Sequence, residues 1–318
     1  MNLSRKVALG LVAASSLLLT ACGSTETQQS PATSQPASQA STTTSAAAPD
    51  RVEKATMALP EDEQVADYFS AVLATPEVTK AFGDVRTEIW QDRHAAEKLL
   101  LDDRPELAVV PVQLAARAFN EGAPIKLTAA TFWHPLALFG QATPPEDPKD
   151  VAQWADPLRD KTIVTALPEA SVPILALEHI LSRNEVSAKI SYVDSPEAAH
   201  RAVAAGDAAA ALDFADVETE LLPQFNLQDE WARTTGSLPR LFWMGLVADE
   251  ELIADHRDAV RTLTRSTIDQ AGENANPILP ARDVSSELAR FYENIGQNAE
   301  DVLGGRAIDA DFFVQRRA

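Results

Sequence analysis

The chain has 318 residues, 45% of them hydrophobic, with 27 Lys and Arg against 47 Asp and Glu and a formal charge of −20. That length suits one large or two medium domains with a sizeable core. The acidic balance argues against nucleic acid and against direct adsorption to an anionic lipid surface, and a single cysteine, Cys22, excludes an intrachain disulfide.

The first fifty residues differ from the rest. Arg5 and Lys6 form a basic start, and Val7 to Ala21 is an uncharged, mostly apolar run, shorter than the ~20 residues a transmembrane helix needs. It ends in Leu19-Thr20-Ala21-Cys22-Gly23, which resembles the lipobox of bacterial lipoproteins. That resemblance implies a signal peptide over 1–21, cleavage before Cys22, and acyl chains on Cys22 that anchor the protein in a membrane. Residues 22–50 then read as a disordered tether of Ser, Thr, Gln, Ala and Pro, with a reach of roughly 30 Å. Loss of residues 1–21 removes two of the 27 basic residues and none of the 47 acids, so the mature chain carries 25 − 47 = −22.

From residue 51 strands alternate with helices. Arg51–Leu59 reads as a strand ended by Pro60. Glu61, Asp62 and Glu63 place acids in the first turn of a helix to about Ala74, with Val65, Tyr68, Phe69, Val72 and Leu73 on one face. Val85–Trp90 alternates as a strand. Arg93–Leu101 is a short helix and Glu106–Val110 a buried strand stopped by Pro111. Val112–Asn120 is a helix with Gly122 beyond its end, and Ile125–Trp133 and Leu136–Gly140 are strands. This order predicts a parallel sheet with helices on both faces.

The proline- and acid-rich Thr143–Asp150 is a loop or crossover. A second series follows: strand Thr162–Thr165, helix Val172–Ser182 with Ser171 as N-cap and Pro173 in its first turn, and strand Lys189–Val193. Ser195-Pro196-Glu197 is a strong helix start; that helix runs to Gly206, before strand Ala208–Asp213. Phe214–Leu222 reads as helical and Leu241–Val247 as one more strand. Glu250–Ala271, Val284–Asn294 and Ile308–Gln315 read as helices. The count fits an α/β chain of two lobes, each a mostly parallel sheet flanked by helices. Lobe 1 comprises 51–140 plus 242–318, and lobe 2 comprises 141–241.

Three stretches then carry a family resemblance. Glu106 to Arg117 is similar to a strand–loop–helix unit. Asp156-Pro-Leu-Arg-Asp-Lys-Thr-Ile-Val resembles a D-L-x-G-K-x-I/V entry to a second lobe, with Asp160 where glycine is usual. Ala198–Asp213 resembles a small-residue segment with Gly-x-x-Asp-Ala, although Asp213-Phe214 stands where Glu-Pro is usual. In this order, and behind a lipobox, they resemble the type II periplasmic solute-binding proteins of ABC importers, in the group that binds nitrate, sulfonates, taurine and thiamine precursors. The resemblance covers about residues 52–250. It implies two lobes joined by two crossovers, solute bound between them, ABC permease subunits as partners, and an extracytoplasmic monomer with no cofactor.

The cleft of such a fold is lined by loops at strand carboxyl ends. Here these contain Pro60, Glu61, Asp92, Pro111, Phe132, Trp133, His134, Glu169, Ala170, Ser171 and Asp213, with Trp243 in the returning strand. The helix start at Ser171 offers N–H groups to an anion, a carbonyl or water. Trp133 and Phe132 can stack a flat or cationic ligand or serve as core. If Glu61, Asp92 and Asp213 face the cleft, they favour a cationic or neutral polar solute. No arginine lies in these loops to clamp a sulfonate, with Arg93 adjacent to one of them.

No G-x-S-x-G, P-loop, G-x-G-x-x-G or H-E-x-x-H motif occurs. The pair Glu197-x-x-His200 fits a surface interaction better than a metal site. The expectation is a non-enzymatic binding protein. The rival readings are a sensor or partner-binding lipoprotein on the same fold, and an enzyme like the thiamine-pyrimidine synthases.

Overall fold

The computed structural model describes residues 51–144, 146, 151–272 and 277–314. The signal segment, Cys22 and the tether lie outside the described residues, as does most of Pro145–Asp150.

The first half of the chain builds β1 (Val52–Pro60), α1 (Glu63–Leu73), α2 (Pro76–Ala81), β2 (Phe82–Trp90), α3 (Arg93–Lys98), β3 (Leu107–Pro111), α4 (Val112–Asn120), β4 (Ile125–Phe132) and β5 (Leu136–Gly140). Side-chain caps fix two of these helix starts. Asp62 Oδ1 accepts from the amide of Val65 at 3.0 Å and Asp92 Oδ1 from that of Ala95 at 2.8 Å. The middle contributes α5 (Val151–Ala155), β6 (Lys161–Thr165), α6 (Val172–Arg183), β7 (Ala188–Tyr192), α7 (Pro196–Ala205), β8 (Ala210–Phe214), β9 (Leu222–Asn226) and α8 (Leu227–Thr235). The chain closes with β10 (Phe242–Asp249), α9 (Glu250–Asp255), α10 (Arg257–Ala271), β11 (Leu279–Pro280) and α11 (Ser285–Gly296).

Two sheets result, in the orders β11-β4-β10-β3-β1-β2 and β7-β6-β8-β5-β9. In the first, β2, β1 and β3 are parallel, and β4 regains their direction by pairing antiparallel to β10. In the second, β7, β6 and β8 are parallel, and β9 regains their direction beside β5. Most strands in each sheet therefore share one direction, and helices flank both: a two-lobe α/β fold.

Four expectations from the sequence are corrected. Leu136–Gly140, assigned to lobe 1, is an interior strand of the second sheet. The chain thus changes lobes at Trp133–Pro135, before Thr143–Asp150. It returns beside that point, where the Trp133 amide donates to the carbonyl of Leu241 at 2.8 Å. Phe214–Leu222 is not a helix: Phe214 ends β8, and β9 begins at Leu222. Pro223 lies in β9, which pairs only with β5; at a sheet edge the missing N–H is tolerated. Glu250–Ala271 is two helices, broken at His256 with φ −132° and ψ 45°. In the described part of Ile308–Gln315, which ends at Val314, only Ala310–Phe312 makes a helical turn, after which Phe313 bridges to Leu127.

The largest apolar core runs through both lobes. Helix α11 holds it together. Phe291 packs on Trp231 of α8, with ring centroids 5.6 Å apart, and on Phe242 of β10 at 5.4 Å. The neighbouring Tyr292, fully buried, donates its hydroxyl to the carbonyl of Val112 at 3.0 Å. The lobes are thus backed by a shared apolar seam, and the cleft opens on the side formed by strand carboxyl ends.

Candidate functional site: a cleft between the lobes

Between the lobes lies a cavity of about 410 Å³, within the ~300–1,000 Å³ typical of small-molecule sites. Lobe 1 lines it with Pro60 at the end of β1, Asp62 at the start of α1, Trp90 to Arg93 between β2 and α3, and Pro111, Gln113 and Leu114 at the β3–α4 junction. Lobe 2 supplies Pro168 to Val172, between β6 and α6; Trp133 and Trp243 stand at the crossovers.

Three of the chain's five tryptophans line this one cavity. The rings of Trp133 and Trp243 lie 5.1 Å apart at 41°, an offset arrangement that aromatic quadrupoles favour. Trp90 is fixed by its own Nε1, which donates to the carbonyl of Val109 at 3.1 Å. Trp133 differs: its Nε1 is buried and has no partner.

Two more wall residues share that property. Ser171 is the N-cap of α6, with φ −70° and ψ 158°, yet its side chain makes no capping bond. Its Oγ is buried and unpartnered, and so is Gln113 Oε1. The other end of Gln113 reaches across: Nε2 donates to the carbonyl of Ala170 at 3.4 Å. Ala170 itself holds φ +54°, a left-handed conformation uncommon for a residue with a side chain. Lobe 1, the crossover and lobe 2 therefore each contribute a wall residue with one unsatisfied polar atom, and burial without a partner costs about 1–3 kcal/mol apiece.

The charge on the wall is acidic: Asp62, Asp92 and Glu169 against Arg93. Arg93 Nε is taken by Glu97 at 3.0 Å, and Glu97 also meets Arg117 at 3.3 Å. One nitrogen of the Arg93 guanidinium is thus held by its own helix. Among the described residues, no group of three His, Cys, Asp or Glu is placed to hold a metal ion.

No protein-family model and no curated protein matches the chain. Solved structures do. A putative sulfonate ABC transporter periplasmic sulfonate-binding protein from Methylobacillus flagellatus is 11% identical over 83% of this chain and 92% of its own, with a TM-score of 0.58. The periplasmic aliphatic sulphonate-binding protein of Escherichia coli is 11% identical over 84% and 93%, with a TM-score of 0.56. The PhnD1 protein of Prochlorococcus marinus, in complex with methylphosphonate, is 14% identical over 79% and 99%, with a TM-score of 0.52. The chain has the fold of the periplasmic solute-binding proteins of ABC transporters.

Within this binding-protein fold, eight of the residues expected at the cleft do line it: Pro60, Asp92, Pro111, Trp133, Glu169, Ala170, Ser171 and Trp243. Four do not. Glu61 points to solvent, and its amide closes the end of β2 through the Trp90 carbonyl at 2.8 Å; its neighbour Asp62 takes the wall position. Phe132 is core, 4.8 Å from the Phe242 ring and 4.6 Å from the guanidinium of Arg240. His134 lines a separate cavity in lobe 1. Asp213 is buried in lobe 2, where its Oδ2 lies 3.1 Å from His200 Nε2. Burial raises the Asp213 carboxyl above its usual range, opposed by the Phe214 amide and by His200. Of the pair Glu197-x-x-His200, His200 thus turns inward to Asp213 and Glu197 stays exposed.

Sequence reasoning missed Trp90 and Gln113. For Gln113 a signal existed: it is a lone amide in the run Val112, Leu114, Ala115 and Ala116, all buried. A polar residue on the apolar face of a helix start, just past a strand's carboxyl end, marks a wall rather than a core.

Proposed function

We propose that the protein is a lipid-anchored, extracytoplasmic solute-binding protein that delivers a small molecule to an ABC importer. The observation that carries this reading is that Gln113, Trp133 and Ser171, which all line one cavity between two lobes, each hold a buried side-chain polar atom without a partner. The sulfonate-binding and methylphosphonate-bound neighbours of the same fold support it. Solute enters while the lobes are apart, and closure seals it. No covalent chemistry is needed.

The wall favours a solute unlike those of the neighbours. Trp133 and Ser171 offer donors, joined by the first amides of the twelve-residue helix α6. Gln113 Oε1 asks for a donor from the solute. Three carboxylates against one arginine on the wall disfavour a sulfonate or phosphonate. A flat, neutral or cationic polar molecule that carries both an acceptor and an N–H fits best. In a thermal-shift screen, heterocyclic amides and amines should raise the melting temperature and alkanesulfonates should not. A sulfonate hit that displaces the amides would reverse the assignment.

Anchoring rests on the lipobox. Among the described residues no helix is long and apolar enough to cross a membrane; the proposed point of attachment is Cys22. The variant Cys22→Ser should shift the protein from the membrane to the soluble fraction; unchanged partitioning would remove the anchor from this account.

A further inference from the structure

The cleft shares a wall with a second cavity of about 360 Å³, inside lobe 1. Asp62, Val65, Trp243 and Met244 line both. Beyond them the second cavity lies between α1, α10 and the face of the first sheet, where Phe69, Val109, Ala129, Leu246 and Ile278 make it apolar.

The two compartments differ in chemistry. In the cleft, buried polar atoms lack partners. In the annex, the hydroxyls of Tyr68, Thr131 and Thr267 are already satisfied by the protein. The Tyr68 hydroxyl donates to the carbonyl of Thr267. Thr267 Oγ1 in turn donates to Leu263 at 2.9 Å. Thr131 Oγ1 accepts from the Met244 amide at 3.0 Å. Asp62 and Gln64, both exposed, and His134 also touch it. A half-open apolar groove of this kind gives hydrocarbon a surface to bury against.

The partition between them is the irregular part of β10. The ladder with β4 slips between Phe242 and Gly245, a bulge of the kind that re-aims side chains beside sites. Trp243 and Met244 sit in that slip. The Thr131 side chain takes over both bonds of Met244, accepting from its amide and donating to its carbonyl at 3.2 Å.

The geometry points to an amphipathic solute: a flat polar head held in the cleft and an apolar tail that passes Trp243 into the lobe 1 annex. This rests on the cleft being the solute site, and it adds the solute's chemical class and second compartment.

The test is a series of benzamides with no tail, or with para ethyl, butyl and hexyl tails, titrated calorimetrically against the full mature chain. Affinity should rise about four-fold per methylene while the tail fills the annex. Ala271, at the end of α10, lines the annex and not the cleft, so Ala271→Phe should bind unsubstituted benzamide as the parent does and lose the gain from the tail; Ala271→Leu should lose part of it. Three outcomes separate the two claims. Binding of benzamide with no gain from any tail overturns the annex alone. Saturable binding of the hexyl compound, lost in Ala271→Phe, without binding of benzamide supports the annex and overturns the head site. Binding of no member, or a tail gain that survives Ala271→Phe, overturns the proposal.

Discussion

Gln113 of lobe 1 donates through Nε2 to the carbonyl of Ala170 of lobe 2, at 3.4 Å, across the mouth of the cleft. It ties the first turn of α4 to the loop before α6, while its Oε1 stays unpartnered in the wall. One residue thus bonds to the opposite lobe and lines the cleft. A neutral hydrogen bond of this kind contributes ~1 kcal/mol. In Gln113→Ala the amides of Ala170, Ser171 and Val172 should exchange with solvent about five-fold faster, with the melting temperature little changed. Unchanged exchange there would mean that the contact does not hold the lobes together.

Trp133 and Trp90 line the same cavity but use their indole N–H differently. That of Trp90 is bonded to Val109; that of Trp133 has no partner. Replacing each by Phe should separate function from stability. Trp90→Phe should lower stability by about 1 kcal/mol because it frees a carbonyl in β3. Trp133→Phe should leave stability unchanged or slightly raised, yet weaken solute binding several-fold. Equal destabilisation by both would show that the Trp133 N–H is already satisfied. Calorimetric melting and ligand titration read the two effects.

Ser171 and Ser195 both stand at the N-cap of helices with proline in the first turn. Ser195 Oγ accepts from the Ala198 amide at 3.2 Å, whereas Ser171 makes no such bond. Ser195→Ala should cost ~1 kcal/mol by denaturant titration. Ser171→Ala should cost close to nothing and should instead reduce solute affinity. A loss at Ser171 as large as at Ser195 would identify it as an ordinary cap.

His179 gives the seam a pH dependence. It is buried in α6, packs on Trp231, and its Nδ1 meets Asn298 Nδ2 at 2.9 Å. An Asn Nδ2 only donates, so Nδ1 accepts and the ring is neutral. Burial holds its pKa below the ordinary value of 6.5, aided by the charge of Arg183 and opposed by a hydrogen bond to the Asn294 backbone. In the unfolded chain His179 takes up its proton near that ordinary value; in the folded chain it resists. Its contribution to stability is therefore complete above pH 6.5 and is lost as pH falls through the lowered folded value. Melting curves from pH 7.5 to 5 should show a decline that is shallower in His179→Gln. Parallel declines would place the acid sensitivity elsewhere.

The alternation of strands and helices was legible because its signals are local: apolar period, caps such as Ser195, and stops such as Gly206. The opening of lobe 2 was legible for the same reason, with Ser171 at the expected cap. Asp160, noted where glycine is usual, occupies φ +56°, a conformation that glycine adopts freely and Asp tolerates better than most residues. What was not legible depends on distant partners. Leu136–Gly140 reads as any apolar strand; only its pairing with β8 and β9 assigns it to lobe 2. Phe132 and Trp133 are adjacent aromatics, and the alternation of a strand sends one to the core and one to the cleft. Asp213 sits at a strand end as expected, but the helix above it carries His200, which claims the carboxylate.

The most direct measurement is native mass spectrometry of the mature protein as purified, followed by titration of the stripped protein with whatever small molecule is released. The account predicts one compound per chain, flat, polar and not a sulfonate, that quenches tryptophan fluorescence on rebinding. It also predicts that Gln113→Ala, Trp133→Phe and Ser171→Ala each weaken that binding several-fold. A released compound whose affinity is indifferent to all three substitutions would contradict the assignment of the cleft as the solute site.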